Sequence, residues 1–217
     1  FRMSCPGKNS NPFCTNLQNE NFPSPGGDGL TFTIGTIAGT DTVFGSALGF
    51  RGGDAFAVEF DTSREQGFRC NNDPDDNHVG LDVRGVYNCN IPTYRPDRGP
   101  DDPYIAVIAT PPFDLNSGYV ITAWIDYDAP ATTIRVYVAD GDTSTKPGAP
   151  LLETTFNLKQ TIGDDNAYVG FTAATTVCRW QNHDILNCQK QQLVQHLPSS
   201  SVSVHVVGKE LMILDSR

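Results

Sequence analysis

The stretch AVEFDTSREQGFRCNNDPDDNHVGLDV, residues 57–83, decides the fold. Its first part is a strand pattern in which the apolar residues Val58 and Phe60 alternate with the acids Glu59 and Asp61. Successive side chains of a strand point to opposite faces, so the two carboxylates share one face. We therefore expect a strand with one face on the core and both acids directed to the other side.

A second strand pattern ends the same stretch. Val79, Leu81 and Val83 form its apolar face, while His78 and Asp82 point the other way. If the two strands are neighbours in one sheet, the imidazole lies on the same side as the two carboxylates of the first strand.

The loop between the two patterns carries Asp73, Asp75 and Asp76. Two or three carboxylates with one imidazole are ligands that Mn²⁺ or another first-row ion accepts. Further carboxylate and carbonyl oxygens from the same loop suit an adjacent Ca²⁺. The alternative is that these acids are ordinary solvent-facing strand and turn residues, and the pattern alone does not decide between the two.

The rest of the chain also has a β-rich pattern. Its 217 residues, with 38% hydrophobic side chains, suffice for one sandwich domain with its own core. Short alternating segments between clusters of Gly, Pro, Asp and Asn predict strands, and residues 1–28 are predicted to be loops. The predicted strands are 30–34, 56–62, 79–83, 104–109, 119–127, 133–139, 152–157, 168–173 and 202–207.

The segment 119–127 alternates most regularly. Its odd-numbered residues are Tyr119, Ile121, Ala123, Ile125 and Tyr127. They are predicted to share one face of the strand, and the even-numbered residues share the other. We expect the even-numbered face, which includes Thr122 and Trp124, to be the more exposed one.

Charge limits the classes of partner. The formal net charge is −10, from 25 acids and 15 bases. This balance argues against nucleic acid or an anionic membrane as the binding partner, because phosphate binding needs clustered Lys and Arg. No apolar run approaches the roughly 20 residues that span a bilayer. Metal cations and neutral ligands such as sugars remain compatible.

The six cysteines favour an oxidising compartment. None forms a CxxC pair, which disfavours structural zinc. Proximity in sequence favours the pairs Cys5–Cys14, Cys70–Cys89 and Cys178–Cys188, although sequence does not determine pairing. We expect a secreted, extracellular or secretory-lumen protein, and six reduced thiols are the alternative. Because the chain begins at Phe1, we expect a removed signal peptide or a fragment.

The stretch 57–83 resembles the metal-binding signature of legume lectins and their L-type lectin relatives. That signature combines a V-E-F-D-T strand, an Asp-Pro turn and an H-[IV]-G-[IL]-D strand, here VEFDT at 58–62, DP at 73–74 and HVGLD at 78–82. Other similar segments are GDGLTF at 27–32, ALGF at 47–50, WIDY at 124–127, YVGFTA at 168–173 and HDIL at 183–186. The resemblance implies an all-β fold, a concanavalin-like jelly-roll sandwich of antiparallel sheets.

The resemblance also implies roles for the metal ligands. Glu59 and His78 would bind only the transition metal, Mn²⁺ or another first-row ion. Asp61 and Asp73 would bridge this ion and Ca²⁺. The backbone carbonyl of Ser63 would reach Ca²⁺.

The implied sugar site begins at Asp28, whose carboxylate would accept hydrogen bonds from two sugar hydroxyls. A cis peptide at Gly27 would hold this carboxylate in place. A backbone N–H of Gly45 or Ser46 would meet the sugar.

Other parts of the implied sugar site depart from the family pattern. Glu65 stands where the family has an Asn that binds both Ca²⁺ and sugar, and a carboxylate offers no amide donor. Asn71 or Asn72 would be the substitute. The family's last sugar loop here contains Arg179 and Trp180, and Trp180 would either stack on a sugar ring or lie in the core.

We expect a lectin domain at 1–197 and a short linker with a strand at 198–217. The metal and sugar loops are expected at 28–35, 45–50, 59–82 and 174–183. The segment VHVVGKELMILD, 204–215, resembles one of the family's opening strands, which have little room before Asp28. This suggests a circularly permuted or nicked chain whose last strand completes the same sandwich, and an extension from a neighbouring module is the alternative.

The function implied is non-enzymatic, metal-dependent recognition of glycans or glycoproteins, with a homodimer formed by back-sheet pairing. Two alternatives remain. Glu65 suggests an adhesion domain that has lost its sugar site. A glycoside hydrolase would use Glu59, Asp61 and Glu65 on one face, but the Glu65 spacing is one residue too long for the hydrolase pattern.

Overall fold

The computed structural model describes residues 1–5, 26–35, 48–49, 55–64, 73–83, 107–155, 157–163, 167–175, 180–193 and 201–208. These residues form antiparallel strands and one short helix. The strands are β1 Arg2–Ser4, β2 Gly29–Gly35, β3 Ala55–Asp61, β4 His78–Val83, β5 Ile108–Ala109, β6 Ser117–Asp128, β7 Thr133–Asp140, β8 Leu152–Thr155, β9 Tyr168–Ala174, β10 Asn182–Asp184, β11 Asn187–Leu193 and β12 Ser201–Gly208. The helix, α1, spans Leu158–Ile162. Within the described residues, no helix is long and apolar enough to cross a bilayer.

The first sheet has the strand order β5-β4-β3-β2-β9. The two strand patterns of the deciding stretch, β3 and β4, are antiparallel neighbours, with Asp61 opposite His78 and Glu59 opposite Gly80. On the other side of β3, Gly29 of β2 lies opposite Asp61. This register brings the acids of β3, the imidazole of β4 and the start of β2 to one end of the sheet.

The second sheet is built around β6. One side of β6 pairs with β7, which pairs with β8. On its other side, β1 covers 117–120 and β12 covers 123–128, so β12 and β1 lie end to end. β1 and β12, which are far apart in sequence, therefore pair with successive parts of the same edge of β6. The predicted permutation or nick stays a prediction.

The core lies between the two sheets, and the all-β sandwich is confirmed. It contains apolar side chains that are at most 8% exposed. The first sheet contributes Leu30, Phe32, Phe56, Val58, Phe60, Val79 and Leu81. The second contributes Met3, Ile121, Ala123, Ile125, Ile134, Val136, Val138 and Leu152. Alternation in β3, β4 and the middle of β6 predicted these inward faces correctly.

The prediction for the even-numbered face of β6 was wrong. Thr122 and Trp124 are 2% and 5% exposed, and the segment after β7 contacts this face of the strand. The Thr122 hydroxyl donates to the Gly141 carbonyl at 2.7 Å, and Lys146 forms an ion pair with Asp126. The strand pattern did not indicate these polar contacts with a segment that follows β7.

The prediction that residues 1–28 are loops was wrong at their beginning. Arg2–Ser4 forms β1, and the Phe1 ring packs 4.7 Å from the Phe60 ring across the core. Three residues are too few for a recognisable alternation, so only the pairing with β6 and β10 identifies this strand. Tyr119, which was predicted to lie on the less exposed face of the strand, is 71% exposed, beside a register shift in the β1–β6 pairing.

The predicted Cys178–Cys188 bridge is not found, and Cys178 itself lies outside the described residues. Cys188 carries a free thiol, and its side chain packs against the core. Burial raises the pKa of this thiol. The other predicted bridges involve Cys14, Cys70 and Cys89, which lie outside the described residues.

Candidate metal centre

Four of the sequence-predicted ligands converge at one end of the β3–β4 pair. Glu59 and Asp61 lie on β3, His78 is the first residue of β4, and Asp73 precedes it in the connecting loop. All four are at most 3% exposed. Three carboxylates and an imidazole are therefore buried together, and such groups need mutual pairing or a metal ion.

The distances around His78 Nε2 fit ligands that share one ion. This atom lies 3.6 Å from Glu59 Oε1, 4.0 Å from Asp61 Oδ2 and 3.8 Å from Asp73 Oδ1. Among the described residues it has no hydrogen-bond partner. Ligand atoms bound at about 2.1 Å to one octahedral ion are about 3 Å apart in cis and about 4.2 Å apart in trans positions. The three observed distances lie between these two values, and the donor set is one that a first-row ion accepts.

The opposite side of the imidazole is already occupied. His78 Nδ1 lies 3.0 Å from the Asp75 carbonyl oxygen, so this nitrogen carries a hydrogen, and Nε2 faces the carboxylates. The Asp75 carboxylate in turn accepts hydrogen bonds from Asn77 N and Thr110 Oγ1. Such supporting contacts orient a histidine ligand.

The electrostatics of the cluster favour a bound cation. Burial lowers the pKa of His78, but the surrounding Glu59, Asp61 and Asp73 carboxylates outweigh it and raise the pKa to about 10. Burial likewise raises the pKa of Asp61 well above its usual value, against the effect of His78. In this structure the imidazolium supplies the positive charge that the buried carboxylates require, and a divalent ion would supply it more fully.

Two further residues of this cluster, Asp82 and Gly80, were not predicted as site residues from the sequence. Asp82 lies on the same face of β4 as His78, beside the Glu59 carboxylate. Burial, and then the Glu59 carboxylate, raise the pKa of Asp82 well above its usual value. Gly80, between them, faces the Glu59 carboxylate. The period of two in HVGLD would have indicated both residues, because 78, 80 and 82 share one face.

Gly80→Ala is expected to weaken Mn²⁺ binding by about tenfold or more while the protein still folds. An added Cβ would overlap Glu59 Oε1 and lie 2.9 Å from Glu59 Cδ. These atoms end a flexible side chain, so the carboxylate moves and the backbone does not. Isothermal titration with Mn²⁺ measures the effect. Gly148→Ala is the matched control, since nothing lies within 4 Å of its added Cβ. Parent-like affinity in Gly80→Ala would contradict the assignment of Glu59 as a ligand.

Asp28 lies directly beside this centre. It precedes β2, is fully buried, and follows a cis peptide bond from Gly27, the form that the resemblance implies. Its N–H donates to the Ala174 carbonyl at 2.9 Å, and its carbonyl accepts from Thr62 N at 2.8 Å. Backbone contacts to β9 and to the end of β3 therefore hold this segment. The Asp28 carboxylate takes no part in these backbone contacts.

The other predicted site residues are placed as follows. Ser63 is buried, and its N–H donates to Asp61 Oδ1 at 2.6 Å, so the other oxygen of Asp61 faces His78. Trp180 is 44% exposed and is not a core residue. Gly45, Ser46, Glu65, Asn71, Asn72 and Arg179 lie outside the described residues.

Comparison with known proteins places the chain in a family. The family model of the legume lectin domain matches residues 9–201. The chain belongs to the legume lectin family. Curated relatives of this lectin domain include the L-type lectin-domain containing receptor kinase VIII.1 of Arabidopsis thaliana, 34% identical over 168 residues, which are 75% of this chain and 21% of that protein. Receptor kinase IV.2 of the same plant is 34% identical over 165 residues, 71% of this chain and 22% of that protein.

The lectin domain thus spans about a fifth of the length of the curated relatives it matches. A rice relative, receptor kinase SIT2 of Oryza sativa subsp. japonica, is 34% identical over 57% of this chain and 17% of that protein. Among solved structures, lectin I from Ulex europaeus with the methyl glycoside of α-L-fucose aligns with a TM-score of 0.46 and 17% identity. That alignment covers 83% of this chain and 62% of that one.

Proposed function

We propose that the chain binds carbohydrate through a site that depends on a Mn²⁺-like ion and Ca²⁺. The observation that carries this proposal is the buried His78 Nε2 with three carboxylate oxygens 3.6–4.0 Å away. Glu59 and His78 would hold the transition metal, and Asp61 and Asp73 would bridge it to Ca²⁺. These ions would neutralise the buried carboxylates and stabilise the end of β3 against which Asp28 lies.

In the proposed sugar site, Asp28 accepts hydrogen bonds from two hydroxyls and Trp180 contacts the apolar face of a sugar ring. The exposure of Trp180 and the short backbone contacts between Asp28 and the end of β3 support this arrangement. Backbone donors at Gly45 or Ser46 complete it.

Three more residue roles belong to this proposal. The Ser63 carbonyl and Glu65 bind Ca²⁺. Asn71 or Asn72 supplies the amide that Glu65 lacks. Arg179 reaches the glycan from the last loop.

We propose that this domain is not an enzyme. A retaining glycoside hydrolase needs two carboxyls about 5–5.5 Å apart on either side of the scissile bond. Glu59 Oε1 and Asp61 Oδ2 instead both face His78 Nε2, at 3.6 Å and 4.0 Å, so they do not lie on either side of an open cleft. Their burial next to an imidazole supports metal binding instead.

The second candidate is an adhesion domain that keeps the metal ions but binds no sugar. The observation that favours it is Glu65, which replaces the expected amide donor with a carboxylate. Binding of Mn²⁺ without any glycan would favour this candidate over the lectin.

The remaining proposals concern location and assembly. We propose an extracellular, secreted or secretory-lumen protein with glycoproteins as partners, because its relatives are lectin-domain receptor kinases and the six cysteines favour an oxidising compartment. We also propose a homodimer through back-sheet edges. Shallow sites bind single sugars weakly, so a dimer with two sites would bind a multivalent glycan with higher avidity.

A glycan array with and without EDTA tests the function. The protein is displayed multivalently, stripped with EDTA, and measured again after Ca²⁺ and Mn²⁺ are restored. We expect binding of neutral glycans, its loss in EDTA and its recovery with the ions. Binding that survives EDTA would contradict metal dependence, and release of sugar products would contradict the non-enzymatic assignment.

A further inference from the structure

Gln181 forms a buried polar junction next to the exposed Trp180. It is 6% exposed, and its Nε2 donates to Asn116 Oδ1 at 2.7 Å. Its Oε1 accepts from Thr62 Oγ1 and lies 3.0 Å from His183 Nε2. Both ends of the amide are therefore engaged. A buried polar group with all its contacts made holds the surrounding segments in one arrangement.

The Thr62 contact leads to the proposed sugar carboxylate. Thr62 directly follows Asp61, and its backbone N–H and its hydroxyl both reach the Asp28 carbonyl, at 2.8 Å and 3.0 Å. The hydroxyl hydrogen of Thr62 is shared between that carbonyl and Gln181 Oε1, 3.0 Å away. One side chain thus separates Gln181 from the backbone of Asp28.

The Asn116 contact leads to the metal loop. Leu115 N donates to Asn77 Oδ1 at 2.8 Å, and Asn77 Nδ2 donates to the Phe113 carbonyl at 2.8 Å. Asn77 immediately precedes the ligand His78. The loop at 110–117 therefore connects the metal loop to Gln181.

The segments joined by Gln181 are also in close contact at Gly26. An added Cβ at Gly26 would lie 3.0 Å from Asn116 Nδ2 and 3.5 Å from the Trp180 carbonyl oxygen. The backbone before Asp28, the 110–117 loop and the Trp180 backbone thus meet at one point. Displacement of any one segment would change the distance between the Trp180 ring and Asp28.

We propose that Gln181 is a positioning residue of the carbohydrate site. Through Thr62 and Asn116 it holds Trp180 at a defined position relative to Asp28, so that one sugar meets the carboxylate with its hydroxyls and the indole with its apolar face. The ligand class is a neutral sugar with adjacent hydroxyls and an apolar ring face. This inference rests on the proposed function.

Two substitutions separate positioning from simple packing. Gln181→Met keeps similar volume but removes the hydrogen bonds. Gln181→Glu keeps the acceptors for Thr62 and His183, and Asn116 can turn its amide to donate to the new carboxylate. Gln160→Met is the matched control, because Gln160 is exposed on α1.

The first readout needs no ligand. The chain has two tryptophans, and Trp124 is 5% exposed, so acrylamide quenching reports mainly on Trp180. Gln181→Met is expected to increase the quenching constant and to lower the fluorescence anisotropy, while Gln181→Glu and Gln160→Met match the parent. The Mn²⁺ content of all variants is expected to be equal.

The second readout is affinity for a neutral glycan that the array identifies. Gln181→Met is expected to bind it about tenfold more weakly, and Gln181→Glu to restore most of the affinity. Parent-like quenching and affinity in Gln181→Met would overturn the proposal, as would equal losses in the Met and Glu variants. If the parent binds no glycan, the carbohydrate role fails with the proposed function. The quenching result then decides separately whether Gln181 positions Trp180.

Discussion

An Asp61→Asn variant is expected to bind Mn²⁺ at least about 100-fold more weakly than the parent protein. Asp61 Oδ1 accepts the Ser63 N–H at 2.6 Å, and Oδ2 faces His78 Nε2 at 4.0 Å. The amide keeps the size of the carboxylate but has one neutral oxygen in place of two charged ones. Since that oxygen is used by Ser63, the amide NH₂ would face the ion. Metal content after gel filtration and isothermal titration with Mn²⁺ measure the loss.

The folding of this variant can be tested separately from its metal binding. Burial raises the pKa of Asp61, so removing this buried carboxylate relieves an unfavourable charge when no ion is bound. In EDTA the variant is therefore expected to melt at or above the temperature of the parent. Asp140→Asn makes the same change at an exposed acid and is expected to leave metal content unchanged. Full metal content in Asp61→Asn would reject the proposed centre.

Asp28→Asn is expected to weaken glycan binding by about 100-fold or more while metal content stays at the parent level. The proposed carboxylate accepts two sugar hydroxyls, whereas an amide keeps one acceptor and places a donor at the other. The contacts that hold the segment use the Asp28 backbone, through Ala174 and Thr62, and the substitution leaves them in place. Titration with the array-selected glycan, alongside metal analysis, gives both quantities.

Asp140→Asn serves again as the control for this variant. Loss of metal together with glycan in Asp28→Asn would place Asp28 in the metal centre instead of the sugar site. Unchanged glycan affinity would remove Asp28 from the proposed site altogether.

Much of the first sheet could be predicted from alternation alone. The inward Val58 and Phe60 and the shared face of Glu59 and Asp61 follow from the period of two in a strand. β1 could not be predicted in this way, because three residues contain too little periodicity. The burial of Thr122 also escaped prediction, since this side chain contacts a segment that follows β7 in sequence.

The candidate metal site was predictable in its members but not in its surroundings. The carboxylates and the imidazole stand in one stretch with strand parity, and the legume lectin resemblance supplied their roles. The Gln181 junction involves Thr62 and Asn116, which are 119 and 65 residues away in sequence. No local pattern relates residues at such separations, and a lone Gln before a short strand carries no signal of its own.

The sequence by itself determined which side chains of each strand share a face, because the alternation of side chains is a local property of extended backbone. It therefore placed Glu59 with Asp61 and His78 with Asp82. Only the tertiary structure decided that β3 and β4 pair in the register that sets Asp61 opposite His78. Only the tertiary structure brought Asp28 and Gln181 to the same end, because pairing between distant strands depends on hydrogen bonds and core packing that no single segment contains.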